Sequence, residues 1–263
     1  MLGTGNALVT RCYNTCFVIE SDRTKLLVDA GGGNGVLAQL ARAGLSPGDI
    51  HDVFVTHSHT DHILGVIWVI RLFVQRHAAG KFGGVLRVWS HHKVIGLLRS
   101  FCEQLLAPKQ WKHLQACVEF HVLADREAFS VGDFRLQCFD ILSTKELQYG
   151  FTLRLPDGLR LACLGDEPYN EACHDLVAGA DWLLCEAFCK YADRDIFKPY
   201  EKNHSTARDA ALLARRLGVS HLVLYHTEDE TLATRKEAYT AEARACFDGA
   251  VWVPDDLEVI PLG

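Results

Sequence analysis

Thr56-His57-Ser58-His59-Thr60-Asp61-His62 places three imidazoles and a carboxylate within six consecutive residues. Packing does not account for such a run; its setting gives it a purpose. Asp52-Val53-Phe54-Val55-Thr56 reads as a short buried strand, and Ile63-Leu64-Gly65-Val66-Ile67-Trp68 opens an apolar helix, so the run lies on a strand-to-helix loop. In an extended loop His57 and His59 point the same way, while Asp61 and His62 begin the helix and serve a second centre close by. Imidazole and carboxylate suit Zn²⁺, Mn²⁺ or Fe, and hydrolytic metal pairs are built from such sets.

Working outward, 263 residues with 49% hydrophobic content can bury a sizeable core. A net charge of −6 disfavours a dedicated nucleic-acid binder. No basic segment followed by an apolar run opens the chain, and the apolar run Val66 to Val74 is broken by Arg71, so neither a signal peptide nor a membrane span is read. A cytoplasmic protein with no membrane partner is expected. The ten cysteines are scattered without a C-x-x-C pair and read as reduced, mostly buried thiols.

Further strands are expected at Thr15 to Glu20, Lys25 to Asp29, Val85 to Trp89, Val118 to Val122, Phe134 to Ile141, Gly150 to Leu155 and Leu159 to Leu164. Helices are expected at Gly35 to Ala43, Ile63 to Arg76, and Lys93 to Leu106 with Leu97, Leu98, Phe101 and Leu105 on one face. His91 and His92, adjacent on a strand end, read as surface residues. The strand Leu161 to Leu164 stops on Gly165-Asp166, and Ala180 to Phe188 carries Glu186 at the end of another buried strand. Lys202-Asn203-His204-Ser205-Thr206 enters a helix that Ser205 or Thr206 can cap, followed by a strand ending in His226. Glu228 to Phe247 reads as a closing helix and Leu257 to Pro261 as a final edge strand.

His57, His59, Asp61 and His62 match the H-x-H-x-D-H signature without a gap, and on this ground the chain resembles the metallo-β-lactamase superfamily. The His-Ser-Thr run at 204–206, the strand ending in His226 and the opening Leu2-Gly3-Thr4-Gly5 are similar to the ribonuclease Z branch. The resemblance covers nearly the whole chain. It implies an α+β fold, a four-layer αββα sandwich forming one domain over residues 1–263. It also implies that Asp166 bridges two metals, that His226 is the final ligand, that Asp29 orients the ligand loop, that Glu186 lies near the active site and that His204 assists leaving-group protonation.

Two departures limit the carry-over. No histidine occurs between His121 and His174, where the superfamily keeps a third ligand of its first centre. Ser143-Thr144-Lys145 occupies that place and is read as substrate-binding, with Lys145 as a point charge. Only 22 residues separate Ser143 from Asp166, too few for the tRNA-gripping arm of ribonuclease Z.

The reading is a hydrolase using a metal-bound hydroxide. Asp61, His62, Asp166 and His226 hold one tight Zn²⁺; His57, His59 and Asp166 hold a weaker one, with Mn or Fe as alternative metals. Asp61, Glu186 and His204 are the catalytic candidates. A phosphodiester is favoured as substrate, with a carbonyl ester, lactone, thioester or lactam as the alternative; a non-catalytic binding protein with a degenerate site is the reading from another class. A small or short anionic substrate, no stable nucleic-acid complex and an optional homodimer complete it.

Overall fold

The computed structural model describes residues 1–263 and contains two sheets facing each other. In the first, β1 (Phe17–Glu20), β2 (Lys25–Val28), β3 (Asp52–Phe54), β4 (Leu86–Ser90) and β5 (Val118–Val122) lie in chain order. The second has the order β12-β11-β10-β9-β8-β7-β6, made of β6 (Ala128–Val131), β7 (Phe134–Asp140), β8 (Tyr149–Arg154), β9 (Arg160–Cys163), β10 (Trp182–Glu186), β11 (His221–Tyr225) and β12 (Ala250–Trp252). Four helices accompany the first sheet: α1 (Gly35–Arg42), α2 (Thr60–Ala78), α3 (His92–Leu105) and α4 (Pro108–Leu114). After the second sheet begins come α5 (His174–Val177), α6 (Arg194–Phe197), α7 (Ala207–Leu217) and α8 (Leu232–Arg244).

Two-residue alternation along the strands makes the four layers. In β10, Trp182 and Leu184 face the first sheet, whereas Leu183 and Cys185 face the helices; in β11, Val223 and Tyr225 face inward and Leu222 and Leu224 outward. The resulting core between the sheets joins Phe17, Leu26, Val28 and Phe54 to Phe134, Phe151, Trp182 and Tyr225. A second core packs α1 to α4 on the first sheet, and a third packs α5, α7 and α8 on the other. The fold is therefore the αββα sandwich.

Strand direction then positions chemistry. β2, β3, β4 and β5 are mutually parallel, as are β9, β10, β11 and β12. Their carboxyl ends consequently release Asp29, the 55–62 run, Asp166, Glu186 and His226 at one edge of the sandwich, where open parallel sheets place their sites. The Tyr149 N–H donates to the Thr56 carbonyl at 2.9 Å and ties the two sheets together there.

Some expectations are corrected. His91 is fully buried and packs edge-on against Tyr149, because β4 delivers it beneath the 143–148 segment; only His92 is exposed. Leu105 is exposed, since α3 turns Val94, Ile95, Leu98 and Cys102 inward instead. Leu257 to Pro261 has no strand partner; the edge position is taken by Ala250–Trp252, which pairs in parallel with β11. α4 and β6 were not anticipated: both are short, and neither shows a clear apolar period. All ten cysteines are free, with eight buried and Cys12 and Cys246 partly so.

Candidate metal centre

The local chain geometry of the 56–62 run is imposed by Asp29. Its Oδ1 accepts from the Thr56 N–H at 2.8 Å, and its Oδ2 accepts from Thr56 Oγ1 at 2.8 Å and from His62 Nδ1 at 2.7 Å. Since an ionised carboxylate only accepts, Nδ1 of His62 carries a proton, and Nε2 is the ring atom left to face a cation. The Thr56 hydroxyl has spent its proton on Asp29, so its oxygen accepts from His57 Nδ1 at 2.8 Å, and Nε2 of His57 is bare. One carboxylate thus fixes two rings. Asp29 does this from the left-handed backbone region (φ 53°), a costly conformation for a residue other than glycine that the surrounding bonds hold in place.

Helix α2 begins at Thr60, and its first turn presents Asp61 and His62. It seats directly on the β2 end: Ala30 N–H donates to the His62 carbonyl at 3.1 Å, and Gly65 N–H to the Gly31 carbonyl at 2.8 Å. A Cβ on Gly65 would stand 1.8 Å from the Ala30 oxygen, so only glycine permits this approach.

The second centre gathers around Asp166 Oδ2. His226 Nε2 lies 3.4 Å from it and His62 Nε2 3.5 Å; Asp61 Oδ2 is 3.3 Å from His62 Nε2 and 3.5 Å from His226 Nε2. Donors at about 2.0–2.1 Å from a tetrahedral cation are about 3.3–3.4 Å from one another, the spacing found here. His62 Nε2 and both ring nitrogens of His226 are buried without a hydrogen-bond partner, an arrangement a cation relieves. His226 is also held at a positive φ of 58°. Its neighbour Thr227 is pinned by backbone bonds to Thr4 and Asn6 and by the buried Arg235, whose Nη1 donates to Thr227 Oγ1 at 2.9 Å and Thr4 Oγ1 at 3.0 Å.

The first centre shares the same oxygen. His57 Nε2 stands 3.5 Å from Asp166 Oδ2 and 2.9 Å from His59 Nδ1. Glu146 Oε1, 3.5 Å from His59 Nε2, favours the proton on that outer nitrogen and leaves Nδ1 bare toward His57. Two bare nitrogens facing each other is the geometry of two ligands to one cation. Both donor sets therefore fit divalent metal, and both meet at Asp166.

The charges agree with this. Burial pushes His57 down to about 3 against the pull of Asp166, keeping it a neutral imidazole. Asp166 and Asp61 stay far below the ordinary carboxyl range: burial opposes ionisation, but the surrounding histidines overcome it. His62 moves the other way. Burial would lower it, yet Asp61 and Asp29 raise it well above its usual value, so the metal-free centre favours the protonated ring.

Ser143, Thr144 and Lys145 make no bond to the first centre's donors. Ser143 Oγ accepts from the Lys145 and Glu146 N–H groups, which makes it a turn cap, and Thr144 Oγ1 accepts from Asn203 at 3.0 Å. Lys145 lines the cleft with Nζ 3.5 Å from buried Glu167. The residues that do reach inward follow them. Glu146 accepts from the Ser58 N–H at 3.1 Å and from Lys93 at 2.5 Å; although burial opposes it, Lys93 and Ser58 hold its carboxyl below the usual value. Gln148, fully buried, donates from Nε2 to Asp166 Oδ1 at 2.5 Å while its Oε1 has no partner. Two polar residues alternating at the entrance to an apolar strand were the available sign of them.

On the opposite wall, buried Glu186 accepts from the Ser205 N–H and faces His204 Nδ1 at 3.4 Å. Phe188 stacks on the His204 ring at 4.9 Å between centroids. Burial would lower His204, but Glu186 raises it above its ordinary value. Thr206 caps α7, as expected, and so fixes the entry of this loop. The cleft over the two centres has a volume of about 500 Å³ and is also lined by Lys202 and Phe197.

The family model described as "Anti-Pycsar protein Apyc1" matches residues 1–241. Among relatives, the ribonuclease Z of Streptomyces avermitilis is 26% identical over 306 aligned positions, covering 100% of this chain and 96% of that protein. Among solved structures, the metallo-β-lactamase fold protein YhfI of Bacillus subtilis aligns with a TM-score of 0.77 at 20% identity, covering 97% of this chain and 95% of that one. Human tRNase Z, short form, aligns with a TM-score of 0.75 at 21% identity over 100% and 98% of the two chains. The sandwich is the metallo-β-lactamase fold in its ribonuclease Z-like form.

Proposed function

Because this chain belongs to the family of the anti-Pycsar protein Apyc1, we propose that it is a metal-dependent phosphodiesterase acting on small anionic phosphodiesters, and that it shares the anti-Pycsar role in the family's name. The observation that carries the reading is the pair of donor sets meeting at Asp166 Oδ2 beside the His204–Glu186 pair. Divalent cations bound there supply Lewis acidity toward a phosphoryl oxygen and lower the pKa of water. Zinc is the metal the donors suit, with manganese or iron as alternatives.

The chain's own residues supply the rest. Lys145 and Lys202 place ammonium groups in a cleft whose wall also carries Asp61, Asp166, Glu228, Asp229 and Glu230, so bound cations would supply most of the attraction for an anionic group, and Phe188 and Phe197 give it apolar wall. Glu186 keeps His204 Nδ1 protonated and its ring fixed, so Nε2 is the atom from which a proton passes to the departing oxygen. A cleft of about 500 Å³ suits a small molecule. β8 and β9 with a short turn fill the interval before Asp166, where a tRNA-gripping arm would need to be inserted, and the net charge of −6 does not favour a polyanion, so precursor tRNA is not the substrate proposed.

A panel of bis(p-nitrophenyl) phosphate, carbonyl esters, lactones and thioesters tests this on metal-loaded protein. Turnover of the phosphodiester, abolished by chelation and restored by one metal, is expected. Turnover of carbonyl substrates alone would transfer the assignment to that class, and full metal content without any turnover would make the protein a binder. Efficient, salt-sensitive cleavage of precursor tRNA would overturn the small-substrate reading.

A further inference from the structure

Far from the cleft in sequence, the last turns of α2 and α4 and the residue preceding β5 bring His77, His113 and Cys117 together. One donor atom from each lies within 4.8 Å of the other two. We propose that these three side chains form an additional metal site for a borderline divalent cation, Zn²⁺ by preference, with water in the remaining position.

The chain geometry builds the cluster without strain. α4 ends at Leu114, and a tight turn follows in which the Ala116 and Cys117 N–H groups donate to the His113 and Leu114 carbonyls at 3.0 Å each, bringing the Cys117 thiol back to the His113 backbone. α2 packs against α4 and carries His77 to this turn, where Phe73 stacks beside its ring. His77 Nδ1 and His113 Nε2 face each other at 2.9 Å, and Cys117 Sγ lies 3.6 Å from the His113 carbonyl. Around tetrahedral zinc, with Zn–N about 2.0–2.1 Å and Zn–S about 2.3 Å, neighbouring donors stand about 3.3–3.6 Å apart. The two imidazoles need to part by less than about 1 Å, and the thiol, within 4.8 Å of both, to close by no more than about 1.3 Å.

Donor chemistry selects the ion. Two imidazoles and a thiolate are too soft for Mg²⁺ or Ca²⁺ and suit zinc. His77 and His113 are half-buried and give the ion a way in, while Cys117 is buried on the core side. Burial holds its thiol proton more firmly than usual, so binding expels that proton to solvent as the Zn–S bond forms. Bound metal would clip the carboxyl end of α2, the helix whose opposite end presents Asp61 and His62, to α4.

Co²⁺ distinguishes this site from the catalytic one, because the catalytic donors include no thiolate. Metal-free protein is titrated with Co²⁺ chloride to saturation. We expect saturation to bring up a near-ultraviolet thiolate-to-cobalt band, lost in Cys117→Ser and in His113→Gln and kept in His57→Ala. Absence of the band from the unmodified protein at saturating Co²⁺ overturns the proposal, as does a band that persists in either Cys117→Ser or His113→Gln. The measurement on the unmodified protein decides the matter even if a variant fails to fold.

Discussion

Asp29 Oδ2 accepts from His62 Nδ1 at 2.7 Å and, through the hydroxyl of Thr56, also governs His57 on the neighbouring centre. Removing that carboxylate frees two ligand rings at once. Asp29→Ala is expected to weaken zinc binding by about 10–100-fold, the usual cost of losing a partner that orients a metal-binding histidine. Competition against a zinc-binding chromophore measures it; unchanged affinity would show that the rings are held by other means.

The proton on His62 makes metal binding pH-dependent. Its folded value is raised above the ordinary 6.5, so its contribution to the metal-free fold is complete below about pH 6.5 and is lost as pH rises through the raised value. Metal must displace this proton throughout that window, and apparent zinc affinity should rise about tenfold per pH unit there. Zinc titrations at several pH values in a weak buffer, with the released protons counted, test the sign and the stoichiometry.

Gln148 is buried beside the site, donating to Asp166 Oδ1 with its own oxygen unpartnered, so a donor placed there is expected to reach the first centre. Gln148→His is expected to raise metal content toward two equivalents per chain, while Ser143→His, placed on a turn cap, leaves it unchanged. Elemental analysis of both variants separates these positions. A gain from Ser143→His alone would refute the placement.

His204 is expected to act as the acid. His204→Ala should lower kcat by about 10²–10⁴-fold with metal content unchanged. Because Glu186 raises the pKa of His204, the acid form persists toward higher pH, and kcat should fall on the basic side. Glu186→Gln removes the raising charge, so that basic limb should move to lower pH. A variant of Glu186 that loses activity uniformly at every pH would reduce its role to packing.

Gly65→Ala drives a methyl into the Ala30 carbonyl, under the helix turn that carries Asp61 and His62. Overpacking of this kind costs about 1–3 kcal/mol. Urea unfolding should show the loss, and zinc affinity should drop with it because the ligand turn must lift. Wild-type stability would mean that the helix slides without penalty.

Local patterns were legible before any coordinates. His57, His59, Asp61 and His62 are adjacent in the chain, so a strand-to-helix loop alone suffices to bring their donors together. The unbroken apolar runs of β10 and β11 read as buried strands, and strand ends at Asp166, Glu186 and His226 were visible as polar residues closing apolar runs. The α+β sandwich followed from these signals together with the family signature.

What only the tertiary structure decided depends on residues distant in sequence meeting at one edge. His91 looked exposed until β4 carried it beneath the 143–148 segment, and the final edge strand moved to Ala250–Trp252 because pairing partners, not composition, select an edge. Glu146 and Gln148 acquire their roles only when β8 lies beside β9 and the Thr56 carbonyl receives the Tyr149 N–H. Arg235 reaches Thr4 and Thr227 across the molecule, and His77 meets Cys117 through the packing of two helices. Chain adjacency supplies the first kind of contact, because neighbouring residues need only a local conformation. The second kind needs the whole sandwich to close, because burial of the two sheet faces sets which distant polar groups share a site.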